Sequence, residues 1–416
     1  MNWKERAKLI PLFYAINSHL KCCQLKLGLF RLKSEYKTKA EARSLTYIPE
    51  QAINEFKRRH RLYQPSFTPR PCGSLRIFWV GTDKDQDESG FLQALNRVAT
   101  VTVFRNIEGS YGIWNGKTTE SGSATFEEIR QANADALHQQ IVQAHASNGI
   151  DLLLGQMWAG LLPKEVLASV QRMGIPVINI SMDDRLPGHW GCRGGVRLGS
   201  VGLASSVDMV LTTSRETCLW YKVEGCPALF WPLASDPILF NPLEDAMRDI
   251  DVLFIGNKYG TRSHIVRYLK NRGINVICYG SGWPNGHISA DRVAELSMRA
   301  RIILGIGTVG HCKDVYTLKL RDFDAPMSGA MYITHRNPDL CRLFSEGHEI
   351  ECYLTPREAT EKIKYYLERP EALSHISRNG CTKARMSHTW DQRLGSTFQD
   401  LGLLLDNPPT CIHQND

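Results

Sequence analysis

The stretch Leu75-Arg-Ile-Phe-Trp-Val-Gly-Thr82 sets the pattern of this chain: an apolar run long enough for one buried strand, then a glycine turn. Similar runs recur after it, separated by helical segments. In the first half we predict strands at Leu75–Val80, Val101–Phe104, Ile150–Leu154, Val177–Ile180, Met209–Thr213 and Ala228–Trp231, with helices at Phe91–Val98, Phe126–Ala146, Pro163–Met173 and Glu216–Lys222. Strands that alternate with helices form right-handed βαβ units, so we expect a parallel, doubly wound sheet.

The segment Pro232–Pro242 interrupts this alternation, because it is rich in Pro and Asp and has no periodicity. The alternation then restarts. The predicted strands are Asp251–Ile255, Val276–Tyr279, Ile302–Leu304, Met331–Thr334 and Glu349–Tyr353, and the predicted helices are Arg262–Arg272, Ala290–Arg299, Pro356–Leu367, Glu371–Met386 and Asp391–Leu405. The chain is therefore predicted to be an α/β protein with two successive Rossmann-like halves and a hinge between them.

Length and composition agree with a division into domains. The chain has 416 residues, more than one ordinary hydrophobic core organises, and 43% of them are hydrophobic. We predict a basic helical extension and linker over 1–72, a first Rossmann-like domain over 73–235 and a second over 236–390. A C-terminal helix and tail, 391–416, is expected to cross back to the first domain.

The net charge of +7 is concentrated at the N-terminus. Residues 1–70 carry 15 Lys or Arg and 5 Glu, so this arm is about +10 and the remainder about −3. Leu9, Ile16 and Leu20 have helical spacing, which predicts one or two basic helices over 1–45. Such an arm either docks on the body of the protein or rests on an anionic membrane surface or partner. Its aromatic residues are not interleaved with the basic ones, so we do not expect nucleic-acid binding.

Cysteine and histidine usage bears on the compartment and on metals. The twelve cysteines are scattered without a CxxC pair, which is typical of reduced thiols in a cytosolic protein. The early apolar run has no signal-peptide pattern and falls short of the ~20 apolar residues that a transmembrane helix needs. No HxxxH or HExxH spacing occurs. We expect a cytoplasmic protein with neither a metal nor a bound cofactor.

A candidate ligand site lies in Leu318-Lys-Leu-Arg-Asp-Phe-Asp-Ala-Pro-Met-Ser-Gly329. Here Lys319, Arg321 and Asp324 lie at the start of a predicted helix that closes at Gly329. A helix N-terminus with basic neighbours holds phosphates, and an acid one turn away accepts hydrogen bonds from ribose hydroxyls. These residue types in this order indicate a nucleoside diphosphate ligand.

Three glycine-rich turns of the second half follow predicted strands, where open α/β sheets bind their ligands. They are Gly256-Asn-Lys-Tyr-Gly-Thr-Arg262, Gly280-Ser-Gly-Trp283 and Gly305-Ile-Gly-Thr-Val-Gly310. Glycine lets backbone N–H groups approach an anion, and Arg262 adds charge at a helix start. Each turn alone also fits a tight connection without a ligand. The last turn formally matches the dinucleotide fingerprint, but no acid ends a strand at the expected distance, so it indicates NAD only weakly.

The first half offers candidates for the second substrate. Asp183 and Asp184 follow a predicted strand and are candidate catalytic bases or acceptor ligands; the alternative is a solvated turn paired with Arg185. Gln156 and Trp158 end another strand, where Trp158 either stacks on a sugar ring or packs in the core. The cluster His388-Thr-Trp-Asp-Gln-Arg393 is more simply a helix cap and a packing element than a catalytic site.

An ordered series of motifs runs through the second half: Phe254-Ile-Gly256, Tyr259-Gly260-x-Arg262, Tyr279-Gly-x-Gly-Trp283, Lys319-x-Arg321-x-Phe323-Asp324, Ser328-Gly329 and His388-Thr389-x-x-x-Arg393. On these motifs the chain from Asp251 to Arg393 resembles the C-terminal domain of CgeB-like (spore-maturation type) glycosyltransferases of the GT-B class. The resemblance implies two facing Rossmann-like domains, with the donor nucleotide sugar in the C-terminal domain and the acceptor mainly in the N-terminal one.

The resemblance also implies roles for residues of this chain. Asp324 takes the position of the carboxylate that contacts the donor ribose, usually Glu, and Tyr316 stands where related retaining enzymes carry another Glu. The stereochemical course is therefore open. Gly256, Tyr259, Gly280, Gly282, Gly307 and Gly329 would complete the donor site. Lys319, Arg321 and Arg262 would stabilise the diphosphate leaving group, in place of a metal ion.

The sequence thus predicts a metal-independent glycosyltransferase of the hexosyltransferase type, with a nucleotide-diphosphate sugar as co-substrate and an unknown acceptor. A non-catalytic GT-B scaffold or nucleotide-sugar-binding protein is the alternative, which the change to Asp324 and the presence of Tyr316 favour. An NAD-dependent enzyme is the third hypothesis.

Overall fold

The structure is a computed structural model that describes residues 11–116, 124–242, 247–310 and 312–406. Residues 1–10 of the predicted extension, with the helical position Leu9, and 407–416 of the predicted tail lie outside the described residues. The chain divides into two compact units. The first unit, as we call it, contains residues 35–232 and 389–416, and the second unit contains residues 1–34 and 233–388.

The first unit is built on a six-stranded parallel sheet with the order β2-β1-β3-β4-β7-β8. Its strands are β1 Leu75–Val80, β2 Ala99–Val103, β3 Leu152–Gly155, β4 Val177–Ser181, β7 Met209–Thr212 and β8 Ala228–Phe230, with a small hairpin of β5 Cys192–Arg193 and β6 Val196–Arg197. Its helices are α2 Pro49–Tyr63, α3 Lys84–Asp87, α4 Phe91–Val98, α5 Phe126–Asn148, α6 Lys164–Arg172, α7 Arg215–Val223 and the last helix, α13 Trp390–Asp400. The preceding helix α1, Pro11–Ala42, contributes residues to both units.

The second unit repeats the plan with a five-stranded parallel sheet of order β10-β9-β11-β14-β15. The strands are β9 Ile250–Ile255, β10 Val276–Tyr279, β11 Ala300–Gly305, β14 Met331–His335 and β15 Glu351–Tyr353, and a hairpin of β12 Thr308–Val309 and β13 Cys312–Tyr316 follows β11. The helices are α8 Arg262–Lys270, α9 Ala290–Arg299, α10 Arg321–Met327, α11 Pro356–Leu367 and α12 Pro370–Ser387. The predicted α/β class with parallel sheets is confirmed.

Burial of both sheet faces explains why the strands read as continuous apolar runs. In β1, Ile77, Trp79 and Val80 are at most 1% exposed, and in the second unit Val252, Phe254 and other strand residues form one buried apolar cluster with the flanking helices. A parallel sheet covered on both faces has no polar side, so alternation of apolar and polar residues is lost. This is the reason that the strand predictions succeeded.

The N-terminal region and the hairpins differ from the predictions. The basic segment forms a single helix, Pro11–Ala42, and a further helix, Pro49–Tyr63, which was not predicted, packs Phe56 at 0% exposure. The turn Gly305–Gly310 leads into the β12–β13 hairpin rather than into a helix. The dinucleotide fingerprint needs a helix N-terminus at that point, so the formal match is wrong. No helix among the described residues is long and apolar enough to cross a membrane.

Candidate functional site

The strand order of the second unit reverses between β9 and β11, and such a switch point opens a crevice at the carboxyl ends of the strands. The three glycine-rich turns meet there. Gly256 N–H donates to the carbonyl of Tyr279 at 2.9 Å, and Thr261 N–H donates to the carbonyl of Gly310 at 3.0 Å. Trp283 Nε1 donates to the carbonyl of Gly256 at 2.8 Å. The fold therefore brings together three segments that are distant in sequence.

Two of these glycines are required by the backbone. Gly256 has φ 148° and Gly280 has φ 124°, values that side-chain-bearing residues rarely adopt. A Cβ atom on Gly280 would lie 2.5 Å from the carbonyl carbon of Gly256, so the two turns touch through bare backbone. Gly282, with φ 86°, continues the same turn. The glycines thus fix the wall of the crevice.

Two arginines lie on this wall around the ring of Phe254. The guanidinium of Arg321 lies 4.8 Å from the ring centroid, and that of Arg262 lies 5.7 Å from it. Arg262 is 5% exposed, donates from Nη1 to the carbonyl of Asn257 at 2.8 Å, and stacks on Tyr259 at 4.1 Å. The predicted residues Gly256, Tyr259, Arg262 and Arg321 are therefore neighbours.

Arg321 has unfilled hydrogen-bonding capacity. Its Nε and Nη1 atoms are buried and have no hydrogen-bond partner among the residues that the structure describes. A buried donor without a partner costs about 1–3 kcal/mol, more if the group is charged. The nearby helix α8 adds to the attraction for an anion, because its first turn holds no acidic residue and no side chain caps it. The arrangement suits a phosphate group.

A buried network holds the start of α10 in place. Asp322 accepts a hydrogen bond from the backbone N–H of Lys319 at 2.8 Å and another from the hydroxyl of Tyr332 at 2.5 Å. Asp322 is 2% exposed, and burial raises its pKa. Lys319 is half-buried two residues before the helix. Asp322 and Tyr332 were not predicted; their positioning role depends on contacts that no sequence spacing reveals.

Asp324, predicted to contact ribose, is a buried residue of this site. It is 6% exposed, and its Oδ1 atom has no hydrogen-bond partner in the described part of the chain. Burial raises the pKa of Asp324 well above its ordinary value, while the nearby Ser235 hydroxyl and the Arg321 guanidinium oppose that shift. A buried acid oxygen beside an unpaired guanidinium is suited to a polar ligand that supplies both partners.

Further polar atoms line the carboxyl ends of β11 and β14. A Cβ on Gly307 would lie 4.0 Å from the carbonyl oxygens of Thr317 and His335, so these three residues are close. Thr317 Oγ1 is buried without a hydrogen-bond partner within the described residues, and the same holds for Asn337 Nδ2. Thr317 and Asn337 were missed by the sequence reasoning because neither belongs to a motif.

Gly329 lies elsewhere. It ends α10 with φ 71°, and a Cβ there would lie 2.8 Å from Nη2 of Arg248 and 3.3 Å from Pro242. The Arg248 guanidinium also donates to the carbonyl of Ser328 at 3.1 Å. These contacts are those of a helix C-cap. The predicted donor-binding role of Gly329 stays a prediction.

In the first unit the strand order reverses between β1 and β3, and Gln156 lies at this second crevice. Gln156 is 5% exposed, and its Oε1 accepts from the Thr82 hydroxyl at 3.2 Å. Its Nε2 donates to Oδ1 of Asp87 at 3.4 Å. The other Asp87 oxygen accepts from the hydroxyl of Tyr111 at 2.5 Å. Gln156 therefore belongs to a polar network at the carboxyl edge of the sheet.

Asp87 is the titratable centre of this network, and the sequence reasoning missed it. It is 1% exposed, and burial raises its pKa to about 7. The available signal was the acidic series Asp83, Asp85 and Asp87 directly after β1. The structure gives these acids different roles: Asp83 caps α3, whereas Asp87 is buried.

The two acids predicted as catalytic candidates occupy different surroundings. Asp184 is 1% exposed and accepts hydrogen bonds from the hydroxyls of Ser181, Thr212 and Tyr221, the last two at 2.7 and 3.0 Å. Such a network accounts for a buried acid structurally. Asp183 is half-exposed and has φ 61°, a strained conformation that is common at functional sites. Asp183 is the better placed of the two to meet a ligand.

Trp158 is half-buried, and its Nε1 atom is buried without a hydrogen-bond partner in the described ranges.

The last candidate cluster, at residues 388–393, has structural contacts. The Thr389 hydroxyl accepts from the N–H of Gln392 at 3.2 Å and caps α13. The Trp390 ring lies 5.1 Å from that of Phe91, and Asp391 pairs with Arg97 at 2.6 Å.

Comparison with known proteins adds a family match for part of the chain. Residues 262–399 match the model of a family described as glycosyl transferase-like. This range contains Arg262, Lys319, Arg321 and Asp324. No curated protein matches the chain.

Solved structures resemble most of the chain at low identity. HepE from Anabaena in complex with UDP aligns over 78% of this chain and 100% of its own, with a TM-score of 0.55 and 10% identity. The sucrose-phosphate synthase of Thermosynechococcus elongatus aligns over 78% and 99%, with a TM-score of 0.54 and 12% identity. A glycosyltransferase from Rickettsia africae aligns over 80% and 100%, with a TM-score of 0.53 and 11% identity. The chain therefore has the GT-B fold, as predicted.

Proposed function

We propose that this protein is a glycosyltransferase that moves a sugar from a nucleotide-diphosphate donor to an acceptor, without a metal ion. The observation that carries the proposal is Arg321, whose buried Nε and Nη1 atoms lack partners within the described residues, beside the turn at Gly256. The family match over 262–399 and the GT-B fold support it. We infer the CgeB-like subtype from the ordered motifs of the second half.

The chemistry required of such a site is stabilisation of a departing diphosphate. When the bond from the sugar to the diphosphate breaks, negative charge grows on the leaving oxygens. Arg321, Arg262 and Lys319 supply positive charge, and the N-terminus of α8 adds its backbone dipole. Asp324 would hydrogen-bond the ribose. In this proposal the cations do the work that a metal ion does elsewhere.

We place the acceptor at the crevice of the first unit. Asp87 lies on the segment after β1, Gln156 on the segment after β3 and Asp183 on the segment after β4. These three strands are neighbours in the sheet. Gln86 Nε2 lies 3.4 Å from Gln156 Oε1 and 3.7 Å from Met182 Sδ, so it bridges the three segments.

A base works best when its pKa is near the working pH, and the Asp87 pKa of about 7 meets that condition. Asp183, Asp184 and the acceptor contacts of Gln156 and Trp158 remain candidates.

Nucleotide binding tests the donor site directly. HepE is solved with UDP and with UDP-glucose, so UDP is the first nucleotide to titrate by calorimetry, followed by GDP, ADP and dTDP. We expect Arg321→Met to weaken binding at least about tenfold, because a charge-assisted hydrogen bond contributes roughly 1.5–3 kcal/mol. Arg272→Met is the matched control, since Arg272 is exposed on the same unit and stacks on Tyr268. If none of the four nucleotides binds, the donor site is refuted.

A non-catalytic nucleotide-sugar-binding protein is the second candidate. Tyr316, at the position of a second carboxylate in related retaining enzymes, lies in the β12–β13 hairpin and pairs with Thr308. This residue favours binding without transfer. The two functions differ in turnover: slow release of free nucleotide from a bound nucleotide sugar supports the enzyme, and tight binding with no release or transfer supports the scaffold.

We also propose that helix α1 holds the protein against an anionic membrane surface. Ile16, Leu20, Leu27 and Phe30 lie on one face of α1 and are 51%, 56%, 52% and 68% exposed. The opposite face is docked: Leu25 approaches Gly310, and Leu29 is 7% exposed. Exposed basic residues flank the apolar stripe, among them Arg31, Lys33 and Lys37. An apolar stripe with basic flanks fits an anionic lipid surface.

Co-sedimentation with vesicles tests this contact. We expect the protein to bind phosphatidylserine vesicles and not neutral ones, and Leu20→Asp/Phe30→Asp to reduce binding at least about tenfold. Leu62→Asp is the control, because Leu62 is 70% exposed on α2, outside the stripe. Equal binding by the double variant and the wild type would exclude the stripe as the contact. A cytoplasmic location is part of this proposal.

A further inference from the structure

Two cysteines of the second unit are in contact outside the donor site. Cys341 is the middle residue of the short helical turn Leu340–Arg342, and Cys352 lies in β15, at the edge of the five-stranded sheet. Their sulfur atoms are 3.9 Å apart. Cys341 is half-buried and Cys352 is 1% exposed. A reagent from solvent therefore meets Cys341 first, with Cys352 directly behind it.

Charged groups around the pair make the two sulfurs unequal. Arg336 Nε lies 3.0 Å from the carboxylate of Glu346, and its guanidinium also reaches the Cys341 thiol. The hydrogen bond from Cys352, with help from Arg336, lowers the pKa of Cys341. The hydrogen bond and burial together raise the pKa of Cys352. Cys341 is therefore the thiol that loses its proton more readily, and the thiolate is the nucleophilic form of cysteine.

We propose that Cys341 and Cys352 are an oxidation site in which peroxide converts the two thiols into an intramolecular disulfide. The Cys341 thiolate attacks one peroxide oxygen, the O–O bond breaks, and hydroxide leaves, so that Cys341 becomes a sulfenic acid. The Cys352 sulfur then loses its proton and attacks Cys341, the S–O bond breaks, and a second hydroxide leaves. With the two released protons the balance is two thiols and one hydrogen peroxide to one disulfide and two waters.

The same three side chains Cys341, Glu346 and Cys352 also lie close enough to ligate a metal ion. Arg336 argues against that use, because its positive charge already occupies the space beside Glu346 and Cys341. A divalent cation there would have to displace the guanidinium. Zinc binding is therefore an outcome of the test that would overturn the proposal.

The chain contains an internal comparator for this reactivity. Cys22 in α1 lies beside Cys312 in β13. Here burial raises the pKa of Cys22, the neighbouring Cys312 thiol raises it further, and the nearby charge of Lys26 opposes the rise only in part. If proximity alone decided oxidation, both pairs would react alike. If the guanidinium of Arg336 matters, the pair Cys341 and Cys352 reacts first.

Peptide mapping of the peroxide-treated protein distinguishes these cases. Trypsin separates the two cysteines, because Cys341 lies in the peptide 337–342 and Cys352 in the peptide 343–357. We expect a disulfide between these two peptides to form before any link between peptides 22–26 and 302–313. With Cys352→Ser, Cys341 should accumulate as a sulfenic acid that dimedone traps. Cys352→Ser and the wild type are compared as full-length, folded proteins.

Arg336→Gln tests the role of the guanidinium and leaves both thiols in place. It removes one trypsin site, so that Cys341 of this variant lies in the peptide 322–342. We expect it to slow disulfide formation about tenfold, because loss of the guanidinium leaves a smaller fraction of Cys341 as the thiolate. The proposal is overturned if the 337–342 and 343–357 peptides do not cross-link, if Cys22 and Cys312 cross-link first, or if the pair retains zinc through dialysis and resists peroxide. An unchanged rate in Arg336→Gln would remove the role assigned to Arg336.

Discussion

At the scale of single residues, the candidate donor site contains buried polar atoms that lack hydrogen-bond partners within the described residues. Arg321 keeps two buried nitrogens without hydrogen-bond partners in the described residues, and Asp324 keeps one oxygen in the same state. Each such group costs free energy in the folded protein. A bound ligand that supplies the missing hydrogen bonds would remove this cost. The residue types could be read from the sequence, whereas their unfilled capacity could not.

Asp87 leads to a prediction about pH. Burial raises its pKa to about 7, so the folded protein keeps this proton up to that pH, while the unfolded chain loses it near pH 4. The native state binds more protons in between, and stability therefore falls as pH rises from about 4 to about 7. We expect Asp87→Asn to abolish that part of the decline, which is of order 4 kcal/mol at most. Urea unfolding across this range measures it.

The control for that experiment is Asp83→Asn. Asp83 caps α3 by accepting from the N–H groups of Asp85 and Gln86, and Asn is an equally good N-cap, so the substitution should cost less than about 0.5 kcal/mol. We expect this cost to be nearly the same at pH 5 and pH 7. A wild-type protein whose stability does not fall over this range, or an Asp87→Asn variant that falls equally, would contradict the buried, protonated state of Asp87.

At the scale of elements, the sequence predicted some helices and strands closely and missed others. The strands were predicted closely because burial on both faces leaves an apolar run that needs no tertiary knowledge. Helix α2 was missed although Pro49 and Glu50 mark a helix start. The β12–β13 hairpin was missed because a strand as short as Thr308–Val309 leaves no periodic pattern. Gly305-x-Gly307-x-x-Gly310 illustrates the limit: the spacing fits a fingerprint, but a hairpin follows it.

Gly280 allows the turn hypothesis to be tested. We expect Gly280→Ala to destabilise the second unit by about 1–3 kcal/mol and to weaken nucleotide binding, because a Cβ would collide with Gly256 in a backbone conformation that already excludes it. Gly273→Ala is the matched control, since Gly273 also has positive φ, 80°, but has open space around it. Thermal unfolding and calorimetry report the two effects. Equal losses in both variants would mean that the positive φ of the glycine, and not the collision with Gly256, causes the destabilisation.

Helix α13 provides a second test at this scale. Thr389 accepts from the N–H of Gln392 and the Gln392 side chain reaches back, which forms a capping box. We expect Thr389→Ala to cost about 1 kcal/mol of stability. Ser396→Ala, on the exposed face of the same helix, should change stability by less than about 0.5 kcal/mol. Similar values for the two variants would show that the cap contributes little.

At the scale of the whole molecule, the two units repeat one topology with unrelated sequences. Both sheets have the neighbour order in which the first strand lies between the second and the third. Each therefore has its own switch point, with Gln156 at one and Gly256 at the other. The family match begins at Arg262 and so covers mainly the second unit. The first unit is described by its fold alone.

Ligand-linked stability tests the molecule as a whole. A nucleotide at a hundred times its Kd stabilises a protein by about 2.7 kcal/mol, provided that it binds only the folded state. We expect UDP to raise the Tm of the wild type and not that of Arg321→Met at the same concentration. Differential scanning fluorimetry with and without UDP measures the shift. A rise of equal size in both proteins would place the nucleotide away from Arg321.

The sequence by itself determined the α/β class, the two successive Rossmann-like halves and the motif residues of the second half, because strand burial and glycine turns are local properties that leave local patterns. Tertiary structure alone decided that Asp184 lies in a buried hydroxyl network, that Asp87 turns inward, and that Cys341 meets Cys352. These facts depend on which distant segments pack together. Burial and partnership set the charge state and reactivity of a side chain, and the spacing of residues along a chain does not encode either.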